Sequence, residues 1–141
     1  MIFFTDRDLG AQIFPQILRE AGIHVEPHDD HFTGAPKDEE WIPKIAARGW
    51  FVLTHNERIR YVTVEREAVL NSGVGMFVLV GKATTRELAH NFVNTYNQIT
   101  AFADAHPRPF IARIYRPSPV TDVAQGVPGR VELWVPLPDQ E

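Results

Sequence analysis

Ile2-Phe3-Phe4-Thr5-Asp6-Arg7-Asp8-Leu9-Gly10 opens the chain and decides how the remainder folds. A short apolar run closes on an acid, and a helical pattern begins at once. A run that is apolar throughout, rather than alternating, marks a strand covered on both faces. Asp6 then falls where that strand passes into a helix. Ligands of open α/β sheets bind at the carboxyl ends of the strands, so a carboxylate there is placed for a cation or a reaction. It is equally placed to cap a helix, accepting from the free N–H groups of the first turn. What separates the two roles is whether other acids converge on Asp6.

Working outward, Leu9, Ile13, Phe14, Ile17, Leu18 and Ala21 keep helical spacing up to the stop signal Gly22, and Pro15 is expected to kink that helix. Residues 23–26 alternate as a strand. The Pro- and Gly-bearing segment 27–37 reads as a solvated loop holding His28, Asp29, Asp30 and His31, a mixed N/O set that also suggests Zn²⁺ or Mn²⁺. Asp38 is expected to cap the next helix, with Glu39 and Glu40 favourable in its first turn and Gly49 ending it. Residues 50–53 form a second buried strand tipped by Thr54-His55-Asn56. A helical turn over 57–61, a short helix over 65–70 and a third buried strand over 76–80 follow. Thr84 and Glu87 have the spacing of a capping box that opens one long helix to Ala105. Its apolar stripe reads as core, with part of it available as a dimer or partner surface. Residues 110–115 read as a strand, 117–129 as a loop, and the alternating 131–135 as an edge strand.

Strands and helices alternate over residues 1–105, which predicts an α/β fold of three layers with a mostly parallel central sheet. The 141 residues are read as one domain, a core of 1–105 with a C-terminal β extension of 106–141. The chain has no cysteine, which excludes thiol catalysis and thiolate metal sites. A net charge of −4 gives no global basic field for nucleic acid, but it does not oppose a nuclease whose acids hold metal. No apolar run is long enough to span a bilayer, and no basic segment precedes an apolar one at the N-terminus. A cytoplasmic protein is expected, without a membrane partner.

Parallel connectivity brings successive strand ends, and the helix N-termini that follow them, to one edge of the sheet. Asp6, Asp38 and the Thr54-His55-Asn56 tip therefore converge. Carboxylates held together repel unless a positive charge sits among them, and a hard divalent ion with oxygen ligands, Mg²⁺ or Mn²⁺, fits best. Arg7, Arg58 and Arg60 are candidates for phosphate contacts, and His55 for a phosphate or a neighbouring carbonyl.

At these residues the chain resembles a known family. Phe3-Phe4-Thr5-Asp6, Asp38-Glu39-Glu40-Trp41-Ile42 and Val52-Leu53-Thr54-His55-Asn56 look like the three-part signature of PIN-like domains, in the branch related to VapC ribonuclease toxins. Arg58-Ile59-Arg60, Glu65 and the strand from Met76 also resemble that branch. The resemblance implies a three-layer PIN-like domain and a metal-dependent endoribonuclease that acts on RNA and pairs with an antitoxin. It implies Asp6 and Asp38 as metal ligands and Thr54 as the supporting hydroxyl. Asn56 departs from the pattern, which commonly has Asp there. An amide still offers a carbonyl oxygen for the metal, but one negative charge is lost. Glu39, Glu40 or Asp8 is the candidate replacement. The alternative function is a weakened PIN-like domain that binds RNA or protein.

Overall fold

The computed structural model describes residues 1–34, 36–59 and 63–136. Six strands form one sheet: β1 (Ile2–Thr5), β2 (His24–Pro27), β3 (Phe51–Thr54), β4 (Gly75–Leu79), β5 (Phe110–Tyr115) and β6 (Arg130–Val135). Their order is β2-β1-β3-β4-β5-β6. The first five are parallel, and β6 runs antiparallel on the edge beside β5. The helices are α1 (Ile13–Glu20), α2 (Asp38–Ala47), α3 (Thr63–Ser72), α4 (Thr85–Asn94) and α5 (Tyr96–Ala105).

The continuous apolar strands have a direct structural cause. Successive strand residues point to opposite faces, and both faces are covered. Phe3, Leu53 and Phe77 face one layer with Phe14, Leu18, Leu88, Phe92 and Ile99 of α1, α4 and α5. Phe4, Val52 and Val78 face the other with Trp41, Ile42, Ile45 and Val69 of α2 and α3. The result is the expected three-layer α/β/α fold with a mostly parallel sheet.

Five local expectations are corrected. The helix expected directly after Asp6 is split: a 3-10 turn covers Arg7–Leu9, Gly10 ends it at φ 79°, and α1 starts at Ile13. Pro15 consequently lies in the first turn of α1, where its missing N–H has no helical partner to lose, so no kink follows. Lys37, not Asp38, is the cap residue of α2; Asp38 is its first helical residue and accepts instead from the Trp41 indole.

The long helix expected from Thr84 to Ala105 is two helices that break at Thr95. The break has a polar cause. Asn91 and Thr95 are buried, and they serve the incoming C-terminal chain: the Asn91 amide donates to the Tyr115 carbonyl, and the Gly129 N–H donates to Thr95 Oγ1 at 2.9 Å. The capping box at Thr84 is present in both directions, and the apolar stripe is core, with Leu88, Phe92 and Ile99 buried.

The segment after β2 is not a solvated loop at its first residue. His28 opens a 3-10 turn and is 2% exposed, while Asp29 and Asp30 face solvent. His31 is held between Glu26 and Arg48. Arg48 can only donate, so His31 Nδ1 accepts from it and Nε2–H donates to Glu26. Both nitrogens are thereby engaged. Among the described residues no group of three or more His, Asp or Glu side chains is set to hold a metal, so this cluster is not a zinc site.

Candidate functional site

The chain runs from β1 outward to β2 and then back past β1 to β3, so β1 and β3 flank the point where the strand order reverses. A crevice opens outside the carboxyl ends of strands at such a point. The Asp6 N–H donates to the Leu53 carbonyl at 2.9 Å, which ties the end of β1 to β3. Asp6 Oδ1 accepts from the Arg7 N–H at 2.7 Å, so Asp6 does cap the short 3-10 turn. Thr54, buried at the end of β3, brings its hydroxyl to 2.9 Å from Asp6 Oδ2 and 3.1 Å from Asp8 Oδ2. A hydroxyl has one proton to give. Two carboxylates thus share one donor, with the His55 N–H as a further donor to Asp8.

A cleft of about 430 Å³ opens above these groups, lined by Asp6, Asp8, Asp38, Asn56 and Glu65, with Arg7 and His28 on its walls. Asp38 reaches it from the N-terminus of α2, held by the Trp41 indole N–H at 3.0 Å. Glu65 reaches it from the first turn of α3. Asn56 stands between them: its amide points at Glu65 Oε2 at 3.5 Å, and its carbonyl accepts from the Arg58 N–H at 3.1 Å.

The four acids act on one another. Burial pushes the Asp6 carboxyl up, and the Asp8 charge pushes it further. Asp8 is raised by desolvation with a contribution from Asp38, and Asp38 by desolvation followed by Asp6. Glu65 is raised by desolvation and then by Asp38. Among the described residues none of the four forms an ion pair with a Lys, Arg or His within 4 Å. Hydrogen bonds from Thr54, Arg7, His55, Trp41 and Asn56 oppose these shifts without reversing them.

The structure therefore brings Asp6, Asp38, Asn56 and Thr54 together, with Arg7 on the cleft wall. It does not bring Glu39 or Glu40 in. Both are exposed on the first turn of α2, and Glu39 faces a separate hollow beside Val64 and Glu67, although its charge is felt at Asp38 and Glu65. His55 is turned away, its ring donating to the Gly81 carbonyl at 2.9 Å. Arg58 is exposed nearby, its charge opposing the upward shift of Glu65. Arg60 lies outside the described residues, as does Tyr61. Glu65 was legible only as part of the family resemblance. The rule that selects Asp38, a helix N-terminus following a strand, selects Glu65 as well. Asp8 belongs in the cleft for the same reason as Asp6, since the 3-10 turn bends it back over the strand ends.

The donor set, carboxylates with an amide and a hydroxyl, suits a hard divalent ion. The uncompensated charge gives such an ion something to neutralise. No three of the acids already stand as a ligand cluster among the described residues.

A family model described as "PIN like domain" matches residues 1–81, the segment that carries β1 through β4 and all four acids. The chain belongs to the PIN-like domain family. It is 31% identical over 125 residues to a protein of Mycobacterium tuberculosis named "Putative ribonuclease VapC45", covering 85% of this chain and 89% of that one. This places it in the VapC branch of PIN-like domains. No solved structure matches the chain. Among the described residues, no helix is long and apolar enough to cross a membrane.

Proposed function

We propose that this PIN-like domain is a Mg²⁺- or Mn²⁺-dependent endoribonuclease, the toxin of a toxin–antitoxin pair. The observation that carries this reading is the convergence of Asp6, Asp8, Asp38 and Glu65 on one cleft, with none of the four in an ion pair within 4 Å among the described residues. Asp6 and Asp38 would hold the metal, with Asp8, Glu65 or the Asn56 carbonyl completing its protein ligands. When bound, the ion would supply a more acidic water and neutralise charge that develops on the phosphodiester. Thr54 fixes Asp6 and Asp8 relative to each other, and Trp41 fixes Asp38. Arg7, on the cleft wall, is placed to orient an RNA phosphate. The relative's name motivates RNA as substrate, and the resemblance to VapC toxins motivates an antitoxin as partner. The whole chain acting as one domain, free in the cytoplasm and able to form a homodimer, belongs to the same proposal.

The test is calorimetric titration of Mn²⁺ into the protein and into Asp6→Asn, followed by cleavage of a single-stranded RNA. Binding and cleavage that both vanish in the variant support the proposal. Absence of both from the wild-type protein sinks it. A second reading, a weakened domain that binds RNA or protein without cutting, is favoured by Asn56, whose carbonyl is already occupied by the Arg58 N–H. Asn56→Asp separates the two. A gain in metal-dependent cleavage means the site is active and only weakened, whereas no gain, with no loss on Asp6→Asn, favours binding alone.

A further inference from the structure

His28 is the one wall of the cleft whose chemistry the four acids leave unused. It follows directly on β2, is 2% exposed, and lines the same cleft as Asp6, Asp8 and Asp38. Its ring sits among Phe4, Phe32 and Trp41, at centroid distances of 5.8, 5.2 and 5.9 Å. Neither ring nitrogen has a hydrogen-bond partner among the described residues. Nδ1 approaches the exposed Asp29 carboxylate at 3.5 Å, an ion-pair distance without a hydrogen bond.

That combination is unusual in a folded protein, where buried polar groups are almost always bonded. The surroundings would accept a plain aromatic ring, so packing alone does not call for an imidazole. The neighbouring histidines differ. His31 has both nitrogens engaged, by Glu26 and Arg48, and His55 donates to the Gly81 carbonyl. The His28 ring lines the cleft and its nitrogens have no hydrogen-bond partner in the fold, so a group that enters the cleft can supply one.

We propose that His28 is a substrate-contacting residue of this site, its ring N–H donating a hydrogen bond to a non-bridging oxygen of the RNA phosphate held over the acids. The inference rests on the ribonuclease proposal above. A phosphate oxygen fits the position better than a metal. Imidazole is a softer ligand than the all-oxygen set around it. An N–H set in an aromatic wall, away from water, is a strong donor to an anion. His28 and Arg7 would then grip the phosphate from two walls of one cleft.

His28→Phe fills the cage and removes both nitrogens. His28→Gln keeps an N–H donor. Cleavage of a short single-stranded RNA in Mn²⁺ is measured for each, together with the unfolding midpoint. The wild-type ring nitrogens of His28 are followed by ¹⁵N NMR as the same oligonucleotide is added. His28→Phe is expected to unfold no earlier than wild type, yet to lose roughly 100-fold in cleavage, the scale for one donor to developing negative charge. His28→Gln should recover part of that, and the wild-type nitrogen signals should move on RNA addition. If wild type cleaves and a folded His28→Phe cleaves equally well, this inference falls and the ribonuclease proposal stands. If wild type does not cleave but the His28 signals move with RNA, the ribonuclease proposal falls and the contact stands. Signals that do not move overturn the contact whatever the variants do, including a His28→Phe that fails to fold.

Discussion

Two sets of carboxylates in this molecule are treated in opposite ways. At the carboxyl ends of β1 and β3, Asp6, Asp8, Asp38 and Glu65 are partly desolvated, face one another and have raised pKa values. Elsewhere the fold satisfies its acids. Glu26 overcomes its desolvation through hydrogen bonds from His24 and His31 and is held below its ordinary range. Glu87 closes the capping box on Thr84, with Arg116 at 3.7 Å, and is also lowered. Acids that serve folding acquire donors, and acids left under strain mark a place that expects a ligand. Net charge could not reveal this, because the same −4 is compatible with acids spread evenly or gathered at one cleft.

The largest expected effect comes from removing one charge from the strained set. Asp38→Asn keeps the shape of the side chain and the reach to the Trp41 indole. RNA cleavage should fall by about three orders of magnitude, comparable to loss of a principal electrostatic contributor. The metal-free protein should become more stable, by about 1 kcal/mol, as functional sites relieved of strain often do. Urea unfolding in EDTA beside a cleavage assay reads both. A variant that is less stable and equally active would place Asp38 with Glu87, among the structural acids.

A middle-sized effect lies in pH. The cleft acids have folded pKa values above their ordinary 3.8 for Asp and 4.5 for Glu. In the window between those values and the raised ones the native state binds more protons than the unfolded chain. Stability then falls as pH rises through that window. Glu26 has the opposite sign: its contribution is present above 4.5 and is lost as pH falls below that. Metal-free protein should therefore lose stability as pH rises from 3.8 and 4.5 through the raised values of the cleft acids. Mg²⁺ or Mn²⁺ should offset that loss by binding the native state. Unfolding midpoints in EDTA for wild type and Asp38→Asn across the acid range check this, and a wild type that loses no stability relative to the variant as pH rises above 3.8 would contradict the raised values.

The same contrast explains what was legible in the sequence. Strands β1, β3 and β4 announce themselves because Phe3 and Phe4, Val52 and Leu53, and Phe77 and Val78 must each fill both layers at once. Asp6 and Asp38 follow from where strands end and helices begin, which chain order alone supplies. Three features were not legible. The break at Thr95 depends on Asn91 and Thr95 meeting Tyr115 and Gly129, a contact between distant segments. Glu39 and Glu40 are indistinguishable from Asp38 until the helix phase is fixed, and that phase turns them outward. His28 lies in a stretch of Pro, Asp and Gly whose composition reads as solvent-facing, yet Phe4, Phe32 and Trp41 close over it.

The smallest expected effect tests the satisfied side of the comparison. Thr84→Ala removes the hydroxyl that accepts from the Glu87 N–H, while the Glu87 carboxylate keeps its bond to the residue 84 backbone N–H. Loss of a cap hydroxyl costs about 1 kcal/mol. The exposed ends of the box hold the figure near or below that value, because solvent replaces part of what is lost. Thr84 and Glu87 do not line the acid cleft. Cleavage and Mn²⁺ affinity should be unchanged while the urea midpoint drops. A capping variant that also weakened metal binding would mean that α4 transmits its stability to the strand ends, and the division into folding acids and ligand-seeking acids would no longer hold.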